Sequence, residues 1–258
     1  MNLLDFLIDK SIVILGYGKQ GKSTYQYLRK HFKNKKILIA DENENIDKSE
    51  FDENTILKLG KDYLKNIEDF DLIIKSPGII LKDVSNFEDK IITDYELLLK
   101  YTDGLKIGIT GTKGKSTTST FLYEVLKNQN KKVALLGNIG TPIFDKIDEI
   151  DKDTISVIEV SSHTLEFSKV SPNIAILLNI YPEHLDHCNT LEDYIKSKFN
   201  IAKYQNENDI FIYNSENAII KKWNFKYKEN DVAVFMNESC NAKNAKNKVY
   251  LKEKRNIF

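Results

Sequence analysis

Short apolar runs alternate with longer amphipathic stretches along the first hundred residues. Apolar runs at Ser11–Leu15, Ile37–Ala40 and Leu72–Ile74 each end at a polar or glycine-containing loop. Lys22–Phe32 has the three-to-four-residue spacing of an amphipathic helix. Continuous apolar runs are typical of strands buried on both faces of a parallel sheet. The pattern therefore predicts an α/β unit with a Rossmann-like, doubly wound parallel sheet.

The alternation starts again after a polar break at Thr102-Asp103-Gly104, which follows a predicted helix at Thr93–Tyr101. The break divides the chain into two predicted domains, residues 1–103 and residues 104–258. Predicted strands of the second domain are Ile107–Ile109, Val133–Leu136, Ile155–Ile158, Ile174–Leu178, Ile210–Tyr213 and Val232–Phe235, with a strand-like piece at Val249–Leu251 and helices at Ser116–Asn130 and Leu191–Lys203.

Composition and charge narrow the class of protein. The 38 basic residues balance the 38 acidic ones, so the chain lacks the excess positive charge of a nucleic-acid-binding protein. No apolar run approaches the roughly 18 residues of a membrane span, and Met1–Lys10 has no apolar core of a signal peptide. Two cysteines, Cys188 and Cys240, form no disulfide framework. We expect a cytoplasmic monomer that binds neither nucleic acid nor membrane.

The strongest candidate site is a glycine-rich loop between a predicted strand and a predicted helix. It reads Thr110-Gly111-Thr112-Lys113-Gly114-Lys115-Ser116-Thr117. Backbone N–H groups of such a loop bind phosphate oxygens, helped by the N-terminus of the helix. Lys115 would bridge the β- and γ-phosphates of ATP, and the hydroxyl of Ser116 or Thr117 would hold Mg²⁺. Ile109 stands where the general phosphate-loop pattern has glycine, so a structural turn is the alternative.

A second glycine-rich loop follows the first predicted strand. It reads Gly16-Tyr17-Gly18-Lys19-Gln20-Gly21, and Asp41 ends the next strand at the spacing of a dinucleotide-binding fingerprint. Any nucleoside diphosphate can lie on such a loop. From the residues alone, NAD and other nucleotides are therefore equal alternatives, and a purely structural turn is a weaker third.

Acidic and histidine side chains follow two further predicted strands. Glu159 ends a buried strand and precedes Ser161-Ser162-His163, and His184 lies after the next strand. Doubly wound sheets bind ligands at such strand ends, where a carboxylate and an imidazole would hold Mg²⁺ beside phosphates. A capped surface loop is one alternative. A zinc site at His184 and His187 is another, but no further Cys or His stands at ligand spacing.

Lys198 lies in the amphipathic stretch predicted as the helix Leu191–Lys203, close to Lys196. Long charged side chains on such a helix usually keep their charged ends in water. The spacing alone therefore predicts a solvated lysine.

Taken together, these residues resemble the muramyl (Mur) ligase family. Thr110–Ser116 has the family's form Thr-Gly-Thr/Ser-x-Gly-Lys-Ser/Thr, which accounts for Ile109. The resemblance runs from about Ser11 to at least Asn214. In place of the family's more usual Ser-Ser-Phe/Tyr-Gln the chain has Ser161-Ser162-His163-Thr164. Other matching blocks are Gly137-Asn138-Ile139-Gly140, Glu159-Val160-Ser161-Ser162, Asn179-Ile180 through Glu183-His184-Leu185-Asp186, and Tyr194 to Lys198.

The resemblance implies a Rossmann-like first domain that binds a UDP substrate and a central domain that binds ATP. The Lys-Ser-Thr end of the loop and Ser76-Pro77-Gly78 are similar to the D-glutamate-adding branch of the family. UDP-N-acetylmuramoyl-L-alanine, and not NAD, would then lie on Gly16–Gly21 and Asp41. Ser76 would line that site, and Asn138 would contact the muramoyl part.

The resemblance also implies the metal ligands and catalytic groups. Ser116, Glu159 and His184 would bind Mg²⁺, and Lys198 would be carbamylated by CO₂ to give an anion that positions a metal ion. The implied catalytic residues are Lys115, His184 and Lys198.

The implied reaction is the ATP-dependent ligation of D-glutamate to UDP-N-acetylmuramoyl-L-alanine through an acyl phosphate, as part of peptidoglycan synthesis. Family members also have a C-terminal domain and a His-Asn-x-x-Asn segment, neither of which is found in this sequence. We therefore expect substrate binding without ligation. The alternatives are a UDP-N-acetylmuramate:L-alanine ligase and a non-catalytic NAD-type binding protein.

Overall fold

The structure, a computed structural model, describes residues 2–81, 83–182, 190–223, 225–228, 230–235 and 250–251. Two separate sheets with helices against them make up this part of the chain, which confirms the predicted α/β class. The helices and strands of the first half are α1 (Leu3–Leu7), β1 (Ile12–Leu15), α2 (Lys19–His31), β2 (Ile37–Asp41), β3 (Thr55–Leu59), β4 (Leu72–Lys75), β5 (Ile91–Ile92) and α3 (Asp94–Tyr101).

The first sheet has five parallel strands in the order β3-β2-β1-β4-β5. The strands β1 and β4 and most of β2 are buried on both faces, as their unbroken apolar runs predict. The chain leaves β1 toward β2 on one side and returns to β4 on the other. The carboxyl ends of β1 and β4 therefore form the switch point, where open sheets of this kind bind ligands.

The second half contains β6 (Leu105–Thr110), α4 (Lys115–Asn128), β7 (Val133–Gly137), β8 (Ile155–Glu159), α5 (Ser162–Leu165), β9 (Ile174–Leu177), α6 (Leu191–Lys203), β10 (Ile210–Asn214), α7 (Ala218–Lys222), β11 (Val232–Phe235) and β12 (Tyr250–Leu251). Its strands run in the order β12-β11-β10-β9-β6-β8-β7. All of these pairings are parallel except that of β11 with β12, which is antiparallel. Because β8 and β9 flank β6, the segments that follow these two strands lie on either side of the glycine-rich loop after β6.

The two sheets share one continuous apolar core. The outer face of α2 packs on the short 3₁₀ helix Ile143–Asp145 that follows β7. Tyr27 and Phe144 place their ring centroids 4.8 Å apart, and the Ser23 hydroxyl donates to the Asp145 carboxylate at 2.5 Å. The described residues include no helix long and apolar enough to cross a bilayer.

Candidate functional site

The glycine-rich loop after β6 ends in a backbone conformation that favours glycine. Gly114, the residue before α4, has φ +84°, in the left-handed region that other residues rarely adopt. The helix begins at Lys115, so Lys115, Ser116 and Thr117 form its first turn. The first N–H groups of a helix have no intrahelical partner and can bind anions. The start of α4, with the exposed Ser116 and Thr117, therefore offers free N–H groups of the kind that can bind an anion.

The Lys115 side chain folds back over this loop. Its Nζ donates to the carbonyl oxygens of Gly111 at 2.9 Å and of Thr112 at 3.0 Å. The ammonium group thus lies beside the helix N-terminus, where the sequence predicts the phosphates of ATP. Positive charge at this point is what a triphosphate requires.

Asn179, which follows β9, bonds to Thr112 and Lys113 in the middle of the loop. Its carbonyl oxygen accepts from the N–H of Thr112 at 2.9 Å, and its side-chain oxygen accepts from the N–H of Lys113 at 2.9 Å. Its side-chain amide donates to the Lys113 carbonyl at 3.0 Å. The N–H groups of Thr112 and Lys113 therefore stabilise the loop itself. No role for Asn179 was predicted, although its position directly after a predicted buried strand places it at the edge of the sheet where such folds bind ligands.

We expect Asn179→Asp to weaken ATP binding by about tenfold, because the aspartate can accept from Lys113 but cannot donate to its carbonyl. Titration calorimetry with ATP and Mg²⁺ measures this change. Asn173→Asp is a control outside the loop, since the Asn173 side chain bonds to the N–H of Lys106 at the start of β6 and to Asp209. Equal ATP affinity of the Asn179→Asp variant and the wild-type chain would contradict the anchoring role.

Lys198 comes to the same loop from α6 and is 2% exposed. Its Nζ donates to the Gly111 carbonyl at 3.0 Å and lies 4.7 Å from the ring centroid of Tyr194. The Tyr194 hydroxyl is 3.1 Å from the Thr112 hydroxyl. The spacing-based expectation of a solvated lysine is wrong, because α6 turns this face toward the loop and not toward water.

Glu159 ends β8 next to β6 and is 6% exposed. Its Oε2 atom is buried and has no hydrogen-bond partner among the described residues. A buried carboxylate oxygen without a partner is costly unless a cation or a donor binds it. Glu159 therefore fits a metal ligand, as the sequence predicts.

The family resemblance also implies an imidazole ligand. His184, and His187 of the zinc alternative, lie outside the described residues. The residues that the structure does describe contain no cluster of three His, Cys, Asp or Glu side chains that could hold a metal ion. Hydroxyl groups such as that of Ser116 and phosphate oxygens would then complete the oxygen ligands that Mg²⁺ prefers.

The first glycine-rich loop joins β1 to α2 at the switch point of the first sheet. Asp41 accepts from the N–H of Tyr17 at 2.6 Å and from the N–H of Asn43 at 2.7 Å. The Ser76 hydroxyl, at the end of β4, donates to the Gly16 carbonyl at 2.9 Å. The structure thus brings Gly16, Tyr17, Asp41 and Ser76 together, and it shows Asp41 and Ser76 stabilising the loop.

The side chains of Lys19 and Gln20 point away from their own sheet. Because α2 begins at Lys19, both lie in its first turn, beside Gly18 and Gly21. Lys19 Nζ donates to the Gly140 carbonyl at 3.1 Å, and Gln20 Nε2 donates to the Gly137 carbonyl at 2.9 Å. These bonds hold the loop that carries Asn138 against the candidate UDP site.

Asn138 therefore lies between the two candidate sites. Its N–H donates to the Glu159 carbonyl at 3.1 Å, and it lines a narrow cavity together with Gln20, Glu159 and Asp94. Asp94 is buried, and burial raises the pKa of its carboxyl group to about 6. No role for Asp94 was predicted, because its position at the start of a short helix does not indicate that it lies beside the second sheet.

Comparison with known proteins agrees with this geometry. Residues 109–258, which begin at the end of β6, match the family described as Mur ligase middle domain. The chain is 34% identical over 225 residues to UDP-N-acetylmuramoylalanine--D-glutamate ligase of Clostridium kluyveri, covering 83% of this chain and 48% of that protein. It is 34% identical over 225 residues to the ligase of the same name from Clostridium tetani, covering 84% and 49%.

A third relative with this name, from Ruminiclostridium cellulolyticum, is 37% identical over 174 residues, covering 65% of this chain and 37% of that protein. The chain thus spans about half the length of the first two of these relatives. The family match includes the glycine-rich loop, Asn138, Glu159, Asn179 and Lys198. On this match, the chain belongs to the Mur ligase family.

Proposed function

We propose that this chain binds ATP and UDP-N-acetylmuramoyl-L-alanine as part of a ligase that adds D-glutamate in peptidoglycan synthesis. The observation that carries the proposal is the convergence of α4, α6 and the end of β8 on the glycine-rich loop after β6. Lys115 and Lys198 both donate to the Gly111 carbonyl of that loop, and the buried Glu159 ends the strand next to β6. The names of the related proteins support D-glutamate as the incoming amino acid.

Each of the two glycine-rich loops binds one of the two nucleotides in this proposal. The N-terminus of α2, with the glycine-rich loop before it, binds the diphosphate of the UDP substrate. Asn138 lies on the path from that loop to Glu159 and contacts the muramoyl part. The N-terminus of α4 and Lys115 bind the phosphates of ATP. The substrate carboxylate then lies where the second sheet meets the first.

In the proposed reaction the substrate carboxylate attacks the γ-phosphorus of ATP. An oxygen–phosphorus bond forms, the bond from phosphorus to ADP breaks, and an acyl phosphate results. The amine of D-glutamate attacks the acyl carbon, loses a proton and displaces phosphate. The first step brings two anions together, so the ammonium group of Lys115 lowers its barrier by offsetting their repulsion.

One observation supports Mg²⁺ binding by the residues present: the buried Oε2 atom of Glu159 has no hydrogen-bond partner in the described part of the chain. Glu159 and the Ser116 hydroxyl would hold the ion, with His184 implied by the family resemblance. Bound there, Mg²⁺ offsets the negative charge of the ATP phosphates.

Carbamylation of Lys198 is part of the proposal. In that reaction the neutral amine attacks CO₂, a nitrogen–carbon bond forms, and a proton leaves to water. We expect a carbamate signal in the NMR spectrum of the wild-type chain in carbon-13-labelled bicarbonate. That signal should be missing in Lys198→Met and present in Lys196→Met, because Lys196 is exposed on the same helix and pairs with Glu192. Persistence of the signal in Lys198→Met would rule out this modification.

Calorimetric titration tests the function directly. We expect UDP-N-acetylmuramoyl-L-alanine to bind with micromolar affinity, and UDP-N-acetylmuramate and NAD to bind much more weakly. Tighter binding of UDP-N-acetylmuramate would assign the chain to the L-alanine-adding branch. NAD binding without binding of either UDP-sugar would overturn the ligase proposal.

A further inference from the structure

A buried lysine ends β4, at the boundary between the two sheets. Lys75 is 1% exposed. Its Nζ donates to the carbonyl oxygen of His163 at 3.4 Å and lies 5.6 Å from the ring centroid of Phe167. Both partners belong to the segment around α5 in the second half of the chain. The charged end of a side chain from the first sheet therefore packs against the α5 segment of the second half.

The contact falls on the end of a very short helix. The last carbonyl groups of any helix have no partner within the helix. In α5 the His163 carbonyl accepts from Lys75, while the Leu165 and Glu166 carbonyls accept from Asn200 Nδ2 at 2.9 and 3.3 Å. Side chains from β4 and from α6 thus cap this helix from two directions.

Each end of this link is next to a candidate site. Lys75 directly precedes Ser76, whose hydroxyl bonds to the Gly16 carbonyl in the candidate UDP loop. On the other side, α5 begins three residues after Glu159, and the Ser161 hydroxyl accepts from the N–H of Thr164 at its start. Lys75 therefore connects the segment that holds the UDP loop to the segment that carries Glu159.

Stability alone does not account for a lysine at this position. Burial lowers the Lys75 pKa to about 8, and the carboxylate of Glu166 offsets only part of that effect. Because the folded-state pKa lies below the ordinary value of 10.5, burying this amine lowers stability fully below pH 8, and the penalty fades as the pH rises from 8 toward 10.5. Methionine has a similar length and would fill the space without the cost of burying a charge.

We propose that Lys75 is a positioning residue that fixes α5 against the end of β4 and so holds the UDP-substrate loop and Glu159 at a constant separation. The inference rests on the proposed function for what these two segments bind. The hydrogen bond to His163 and the contact with Phe167 carry it. A residue of this kind acts through α5 and need not touch the substrate.

The test compares Lys75→Met with Lys36→Met, since Lys36 is an exposed lysine just before β2. We expect amide hydrogen exchange at residues 164–168 of the ligand-free Lys75→Met chain to be about tenfold faster than in the wild-type chain, the effect of one lost hydrogen bond to a charged group. The midpoint of thermal unfolding should be unchanged or higher. Lys36→Met should leave both quantities at the wild-type values.

Ligand binding gives a second, separate readout. Lys75→Met should bind UDP as the wild-type chain does, because UDP contacts only the first loop. It should bind UDP-N-acetylmuramoyl-L-alanine about tenfold more weakly, because that ligand reaches the second sheet. Equal losses for both ligands, or unchanged exchange at residues 164–168, would overturn the positioning role. A lower unfolding midpoint with faster exchange throughout would show a merely structural role.

The two proposals can fail separately. If the wild-type chain binds no UDP ligand, the proposed function fails. The exchange experiment uses the ligand-free chain and still decides whether Lys75 holds α5.

Discussion

Replacing Gly21 by alanine is expected to destabilise the protein by about 3 kcal/mol, the upper end of the range for overpacking. Gly21 lies in the first turn of α2, directly against the backbone of the preceding loop. A Cβ atom there would overlap the carbonyl oxygen of Gly16 and lie 3.3 Å from the hydroxyl oxygen of Ser76. Both neighbours belong to the candidate UDP site, and backbone cannot rotate away as a side chain can. The loop must therefore move.

The same movement is expected to reduce affinity for UDP-N-acetylmuramoyl-L-alanine by about 100-fold, the effect of a displacement near 1 Å in a positioned site. Denaturant unfolding and titration calorimetry measure the two changes.

Gly18→Ala is the matched control for stability. An added Cβ at Gly18 meets no heavy atom within 4 Å, and its φ of −77° suits alanine. We expect a stability loss below about 1 kcal/mol for that change. Equal denaturant midpoints for the two variants would show that the overlap at Gly21 does not destabilise the protein.

Lys115→Met is expected to weaken ATP binding by about 10- to 100-fold, because a hydrogen bond to a charged group contributes roughly 1.5–3 kcal/mol. The ammonium group already lies over the loop, where it bonds to the Gly111 and Thr112 carbonyls. ATP phosphates at the start of α4 would offer it a stronger, anionic partner. Methionine has a similar length but carries neither the charge nor the hydrogen-bond donors.

Calorimetry with ATP and Mg²⁺ measures this effect, and the salt dependence of the affinity adds a second check. The ATP affinity of the wild-type chain should fall with added salt more steeply than that of Lys115→Met. Salt screens the attraction between the Lys115 ammonium and the ATP phosphates, and the variant lacks that attraction. The control is Lys127→Met, which removes an exposed lysine from the last turn of the same helix. Equal affinities of the Lys115→Met and Lys127→Met variants would show that the Lys115 ammonium does not bind the nucleotide.

Local pattern was enough to predict most of the regular structure. The helix α6 and the strand β11 begin and end where the sequence predicts. The strand β3 was not predicted, since Thr55–Leu59 lies toward the edge of the first sheet and is only partly buried. The two-residue strand β5 is too short for any periodicity to show. Helices α2 and α4 begin earlier than predicted because each follows directly on its glycine.

The sequence by itself determined the α/β class, the two glycine-rich loops at strand ends and the carboxylate at the end of β8. Each of these depends on residues that are neighbours along the chain. Only the tertiary structure decided that Lys198 is buried against the Gly111 carbonyl, 87 residues away, and that Gln20 bonds to Gly137, 117 residues away. Helical periodicity shows which residues share a face but not which distant surface that face meets. The burial of Lys75 and Lys198 follows from that packing, so it could not be predicted from local pattern.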